Sequence, residues 1–311
     1  MAFSKSVGRL AASGTALGFV AIILWSTTVA FARSISERLG PLTAAACVYG
    51  VGALAALTRL TLSAGRRRSL AGLGRRYLVV CGLLFVTYML VLFLSVGLAD
   101  GRGQVLEVGL VNYLWPTLTI LFSLLVLGKR ASAFLIPGTA LALGGVFLVL
   151  TQGQSVTWET FARNTASNPA AYGLGLCAAV SWALYSSLTR KWAGGASTGG
   201  VDVFLPATAV VMLVLSAFVD EPRAWGVAPV AEAVFLGGAT YTAYGCWDAA
   251  MRRGDVFLVA AGSYLTPLLS TLVTVVYLSV PTGPRLWIGC VVLVAGSFMS
   301  WRSVSDRGSS S

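Results

Sequence analysis

Stretches of about 20 mostly apolar residues recur along this chain, separated by short loops that carry most of its charge. A bilayer core of roughly 30 Å calls for such stretches, because a helix of about 20 residues spans it and pairs its own backbone N–H and C=O groups where water cannot. Ten segments meet the requirement, at 14–32, 43–62, 77–97, 106–127, 131–150, 170–189, 203–219, 230–251, 256–280 and 286–301. The span at 203–219 is the weakest. With 57% hydrophobic and 11% charged residues, the chain reads as an all-α integral membrane protein of ten transmembrane helices.

The net charge of +11 needs a cause. Nucleic-acid binding would want a solvated basic face, whereas these Lys and Arg residues sit in short clusters between apolar runs. Counted over alternate loops, 15 of the 22 lie on the side that holds both termini, from Lys5 and Arg9 through Arg66, Arg67, Arg68, Arg75 and Arg76 to Arg307, against six on the other. The excess puts both termini in the cytoplasm. Trp158, Trp192, Trp225, Trp287 and Trp301 fall at helix ends or in loops, where an indole prefers the membrane interface. Lys5 and Arg9 before an apolar run ending Ala30-Phe31-Ala32 also resemble a signal peptide, but the run is longer than the usual h-region of about 7 to 15 residues.

Shifting the chain by 151 positions aligns 99–147 with 250–298 without a gap, at 15 identities over 49 positions. Arg102-Gly103 matches Arg253-Gly254, Tyr113-Leu114-x-Pro116 matches Tyr264-Leu265-x-Pro267, and Gly138 and Gly145 match Gly289 and Gly296. At a shift of 157, Trp25 matches Trp182 and Arg33 matches Arg190. The chain therefore divides into five-helix repeats at 1–151 and 170–311, joined by a loop at 152–169. Five is odd, so the second half enters from the opposite side, the inverted-repeat plan of secondary transporters with a site near the midplane.

Pro116 and Pro267 each sit halfway along a span and free a backbone carbonyl at membrane depth, which marks them, with Tyr113 and Tyr264, as kink or gating positions. Trp25, Trp115 and Trp182 lie well inside spans, where an indole N–H wants a partner. Trp182 and Tyr185 share a helical face, as do Tyr241 and Tyr244, and Asn112 lies one turn before Pro116. With Ser26, Thr27, Tyr88 and Ser263 these outline a central cavity lined by aromatic rings and a few polar groups, suited to flat or aromatic solutes with a small polar head. The substrate-binding set is Trp25, Tyr88, Asn112, Trp115, Trp182, Tyr185, Tyr244 and Ser263.

No histidine is present. Glu107 and Glu232 fall at outer helix ends and Asp248 near an inner one, so an obligatory proton relay has no evident mid-membrane carrier, and facilitated movement is the simpler expectation. Paired catalytic carboxylates and HExxH are absent, which argues against a membrane enzyme. Metal spacing is missing too, so no cofactor is expected. Cys47, Cys81, Cys177, Cys246 and Cys290 all fall in apolar segments and read as packing residues. Gly14-x-x-x-Gly18, its counterpart Ala171-x-x-x-Gly175 and the paired glycines of the last helix in each half read as close-packing positions within a monomer.

Ten spans in two halves, a central Trp in the first span of each, and the Tyr-Leu-x-Pro motif before the last pair of helices resemble the drug/metabolite transporter superfamily. More narrowly, the chain resembles its EamA-type members and, among them, the aromatic amino acid exporters. That resemblance implies a basket of ten helices around a central cavity, in a bacterial inner membrane, moving aromatic and other neutral amino acids outward from the cytoplasm. Many EamA-type members carry Gly-Glu at the end of the fourth and ninth spans, where this chain has Gly128-Lys129 and Ser279-Val280. The departure weighs against generic drug/proton exchange. A nucleotide, nucleotide-sugar or drug/metabolite exporter with proton coupling is the competing reading.

Overall fold

A computed structural model describes residues 2–151, 157–278 and 283–305 of the chain. Part of the expected connecting loop, Ser279-Val280 and the tail from 306 lie outside the described residues. Every regular element among the described residues is helical: α1 (Ala2–Ser26), α2 (Thr28–Leu39), α3 (Pro41–Leu62), α4 (Ala64–Ala71), a π-helical turn (Tyr77–Cys81) running into α5 (Gly82–Gly97), α6 (Gly101–Asn112), α7 (Trp115–Leu127), α8 (Leu135–Leu150), α9 (Trp158–Ser167), α10 (Pro169–Ala193), α11 (Val201–Ala217), α12 (Val227–Arg253), α13 (Val256–Gly262), α14 (Leu265–Leu278) and α15 (Pro284–Ser305).

Helix starts follow local chemistry. Asn168 accepts a hydrogen bond from the Ala171 backbone N–H, with Pro169 opening α10, where its missing N–H has no intrahelical role. Asp255 accepts from Phe257 and Leu258 N–H at 3.0 Å each and caps α13. The start of α3 is different. Gly40 precedes it at φ +85°, offering no cap of its own, and Glu221, from far along the chain, accepts from Leu42 N at 2.9 Å and Thr43 N at 2.7 Å. Its negative charge sits at the positive end of the helix.

Breaks divide three of the expected spans. The first continues beyond residue 32 to Leu39 and is interrupted at Thr27, where the backbone N–H turns to Leu24 O at 3.2 Å. The fourth is broken at Tyr113-Leu114 and the ninth at Ser263-Tyr264. Pro116 and Pro267 each follow such a break, at the first turn of α7 and α14, the helix position that tolerates proline.

By length and composition, Pro41–Leu62, Tyr77–Gly97, Gly103–Leu127, Pro169–Ala193, Val256–Val273 and Pro284–Val304 are long and apolar enough to cross a membrane, with α1 and α2 a seventh if taken as one bent span. The described residues thus give six or seven such spans. Helices α8 and α11, at 16 and 17 residues, are shorter apolar helices, and α12 carries Glu232, Asp248, Arg252 and Arg253.

Packing brings distant elements together. Helix α1 lies against α12, α10 against α5 and α7, α3 against α11 and α12, and α8 against α15. The α8/α15 seam has no room for side chains at its glycines: a Cβ on Gly145 would lie 2.4 Å from Leu293 N, and one on Gly296 2.2 Å from Ala142 N. Small residues here let two backbones touch. Around the outside, Leu54, Leu83, Leu125, Ile136, Val210, Leu213 and Val291 are exposed and form the surface a bilayer would cover. Cys177 is also exposed, on the outer face of α10, and so corrects the expectation that all five cysteines are packed inside. Trp158, Trp192, Trp225 and Trp287 are exposed near helix termini, whereas Trp301 packs partly against the core.

Candidate functional site

The site begins with Trp25, near the end of α1. Its ring centroid lies 5.2 Å from that of Trp247, 5.5 Å from Tyr244, 5.7 Å from Trp182 and 6.5 Å from Trp115. Those partners come from α7, α10 and α12, so one indole ties together both halves of the sequence. Trp182 in turn packs against Tyr88 at 4.8 Å, Tyr185 at 5.1 Å and Phe85 at 5.9 Å. Most of these contacts are tilted or edge-to-face, the arrangement that the ring quadrupole favours.

Of the eight residues expected to bind substrate, Trp25, Tyr88, Trp115, Trp182, Tyr185 and Tyr244 are gathered into this one cluster. Asn112 lies beside the Tyr88 hydroxyl, and its Oδ1 is buried without a hydrogen-bond partner. Ser263 is not brought in: its hydroxyl donates to the Ala260 carbonyl of its own helix at 2.5 Å. Ser26 and Thr27 likewise bond back to Ile23 O and Leu24 O. Two of the four kink residues, the tyrosines, share a cluster elsewhere. Tyr113 and Tyr264 pack in a common cluster with Ala142, Val146 and Leu293, and the Tyr264 hydroxyl is hydrogen-bonded to that of Thr117, one residue after Pro116.

Several cluster members were not anticipated from the sequence. Trp247 is fully buried, 5.4 Å from Trp115, and donates its Nε1–H to Ser186 Oγ at 3.1 Å. Phe85 touches Trp182, Tyr185, Phe204 and Tyr244. Met89 accepts from the hydroxyls of Tyr49 and Tyr244 at 3.1 and 3.4 Å. A signal existed for two of them, since Trp247 is three residues after Tyr244 and Phe85 three before Tyr88, on the same helical faces.

Polar satisfaction within the cage is uneven. The indole N–H of Trp247 is met, while that of Trp25 is buried and has no partner. One donor, Trp25 Nε1 inside the cage, and one acceptor, Asn112 Oδ1 on the residue beside Tyr88, therefore stand unmatched. Buried polar groups are normally paired, and an exception asks for an explanation.

Beside the cage lies a charged layer. Asp248, buried on α12, accepts from Arg252 Nε at 2.8 Å, the Tyr77 hydroxyl at 2.8 Å and the Tyr185 hydroxyl at 3.2 Å. Asp202, at the start of α11, is paired with Arg66 and accepts from the Tyr241 hydroxyl at 2.8 Å. A cavity of about 280 Å³ opens against this layer, lined by Asp202, Asp248, Tyr241 and four arginines. None of the eight expected substrate residues lines it. This cavity therefore lies beside the arginines of the charged layer, adjoining the ring cage through Asp248 and its Tyr185 contact. At the opposite end of the bundle, Glu107 is buried and held by the Tyr172 hydroxyl and by Asn164 Nδ2 of α9 at 3.1 and 3.2 Å.

A family model described as the EamA-like transporter family matches residues 12–151 and again 169–302. The chain belongs to that family. It is 36% identical over 294 residues to the aromatic amino acid exporter YddG of Salmonella typhimurium, covering 94% of this chain and 98% of that protein. It is 37% identical over 290 residues to the exporter of the same name from Escherichia coli K12, covering 92% and 96%. A crystal structure of a chain 30% identical superimposes with a TM-score of 0.76, covering 93% of this chain and 97% of that one. This EamA protein is thus a multi-pass membrane transporter with bacterial exporters among its relatives.

Proposed function

We propose that this EamA protein exports aromatic and other neutral amino acids by alternating access, from a site at the tryptophan cage between two inverted five-helix halves. The observation that carries the reading is the cage around Trp25, ringed by Trp115, Trp182, Tyr244 and Trp247, with a buried donor at Trp25 Nε1 left unmatched and a buried unmatched acceptor, Asn112 Oδ1, on the residue beside Tyr88 at its edge. A zwitterionic amino acid supplies what these lack. Its carboxylate accepts from an N–H, its ammonium donates to an amide oxygen, and its side chain stacks on rings.

The inverted-repeat plan is supported by how the helices pair. If α1 corresponds to α10, α3 to α11, α5 to α12 and α7 to α14, then α1 against α12 exchanges with α10 against α5, and α1 against α14 with α10 against α7. The α3/α11 and α8/α15 seams exchange with themselves. The double match of the family model, once per half, points the same way, as does the packing of Tyr113 and Tyr264 in one cluster. Ten spans in a bacterial inner membrane, with both termini cytoplasmic and the chain working as a monomer, complete the picture, and the odd number of spans per half makes the halves antiparallel.

Facilitated movement remains the coupling we favour, because Asp202 and Asp248 are each already engaged by an arginine and by tyrosine hydroxyls. Counterflow tests the proposal. Liposomes holding the purified protein and unlabelled phenylalanine should accumulate labelled phenylalanine without an imposed proton gradient, and tryptophan should compete where UMP-linked sugars do not. Exchange of the nucleotide sugar alone, or strict dependence on a proton gradient, would overturn it.

A further inference from the structure

Four arginines, Arg59, Arg66, Arg252 and Arg253, line the 280 Å³ cavity against only two acidic residues, Asp202 and Asp248. Two of the four are accounted for: Arg66 is paired with Asp202 and Arg252 with Asp248. The other two are not. Arg253 has a buried Nε without a partner, and Arg59 rests over the Tyr241 ring at 5.9 Å with only a long contact, 3.5 Å, to its hydroxyl. The cavity wall therefore carries two positive charges beyond what its own acids neutralise, and a buried guanidinium N–H left unmet is unfavourable until an anion meets it.

We infer that this cavity is a carboxylate-receiving vestibule, in which Arg253 and Arg59 hold the carboxylate of a small organic acid. A guanidinium presents parallel N–H donors that match a carboxylate's two oxygens. At about 280 Å³ the space lies just under the range of roughly 300–1,000 Å³ for whole small-molecule sites, so it suits the head of a ligand with a short stem. Its position adjoins the ring cage. Asp248 lines the vestibule and accepts from the Tyr185 hydroxyl, while the Tyr185 ring packs on Trp182 at 5.1 Å. A single tyrosine thus separates a carboxylate in the vestibule from the tryptophans. That the ligand is the exported amino acid rests on the exporter reading; the vestibule's preference for a carboxylate does not.

The test is titration calorimetry on the full-length protein in detergent micelles, with 3-phenylpropanoate, which has the carboxylate and no ammonium, and phenethylamine, which has the reverse. Wild type should bind 3-phenylpropanoate, Arg253→Gln and Arg59→Gln should each weaken it about tenfold, and Arg253→Lys should fall between. Phenethylamine should bind all four proteins alike. Arg59 is exposed, so its variant keeps the test open should Arg253→Gln fail to fold. Equal binding of 3-phenylpropanoate by wild type and both Gln variants, or no binding by wild type, would overturn the inference. So would displacement of the probe by phosphatidylglycerol but not by phenylalanine, which would assign the arginines to lipid headgroups. Counterflow run in parallel separates the two readings: loss of phenylalanine exchange with probe binding intact removes the exporter reading alone, and exchange with arginine-independent probe binding removes the vestibule alone.

Discussion

Replacing Trp25 by Phe separates a binding role from a packing role. The phenyl ring keeps much of the contact with Trp247 and Tyr244, now 5.2 and 5.5 Å away between centroids, but it cannot donate a hydrogen bond. Shrinking a core ring this modestly costs about 1 kcal/mol. Removing a buried donor that has no partner returns about 1–3 kcal/mol. Stability of the unliganded protein should therefore hold or rise slightly. Affinity should not. A hydrogen bond to a charged group is worth about 1.5–3 kcal/mol, which is about 10- to 150-fold in binding, so the KM for phenylalanine in counterflow should rise by that factor. Trp247→Phe is the control, because its N–H is already bonded to Ser186. That change should lower thermal stability in detergent and move KM little. A Trp25→Phe protein that loses stability while keeping the wild-type KM would refute the assignment of the indole N–H to substrate.

Asp248→Asn leaves Arg252 buried beside a neutral amide, and unpairing a buried ion costs about 3–5 kcal/mol, readable as a large drop in melting temperature. Gly296→Leu should prevent α8 and α15 from closing, because even a Cβ there lies 2.2 Å from Ala142 N and backbone cannot yield as a side chain can; aggregation on size exclusion reads it. Glu221→Ala should cost about 0.5–2 kcal/mol, the range for losing a helix cap, because Leu42 and Thr43 N–H lose their acceptor. Tyr264→Phe removes the hydroxyl contact with Thr117 between the two breaks and should change turnover more than KM.

Much of the cage was legible because its residues are chemically odd where they stand. Trp25, Trp115 and Trp182 in mid-span, with no headgroup in reach, had to find company within the protein, and one cluster holds them. Asp202 was missed since it falls at the edge of an apolar run, where a carboxylate reads as a solvated loop residue; Arg66, 136 residues earlier, makes it a buried ion-pair partner. Ser263 was chosen for its hydroxyl, but a serine at a helix break can bond back to its own turn, and it does.

Sequence alone determined the membrane character and pointed to an internal repeat and to two of the three helix breaks, because hydropathy, repeat spacing and proline act locally on the chain, whereas the break at Thr27 carries no proline to mark it. Tertiary structure decided which rings meet, which arginine answers which aspartate, that Glu221 caps α3, and that a cavity opens beside the charged layer. Those outcomes depend on how helices turn about their own axes and where distant segments come to rest, and an apolar helix in lipid carries little amphipathic signal to reveal its facing side.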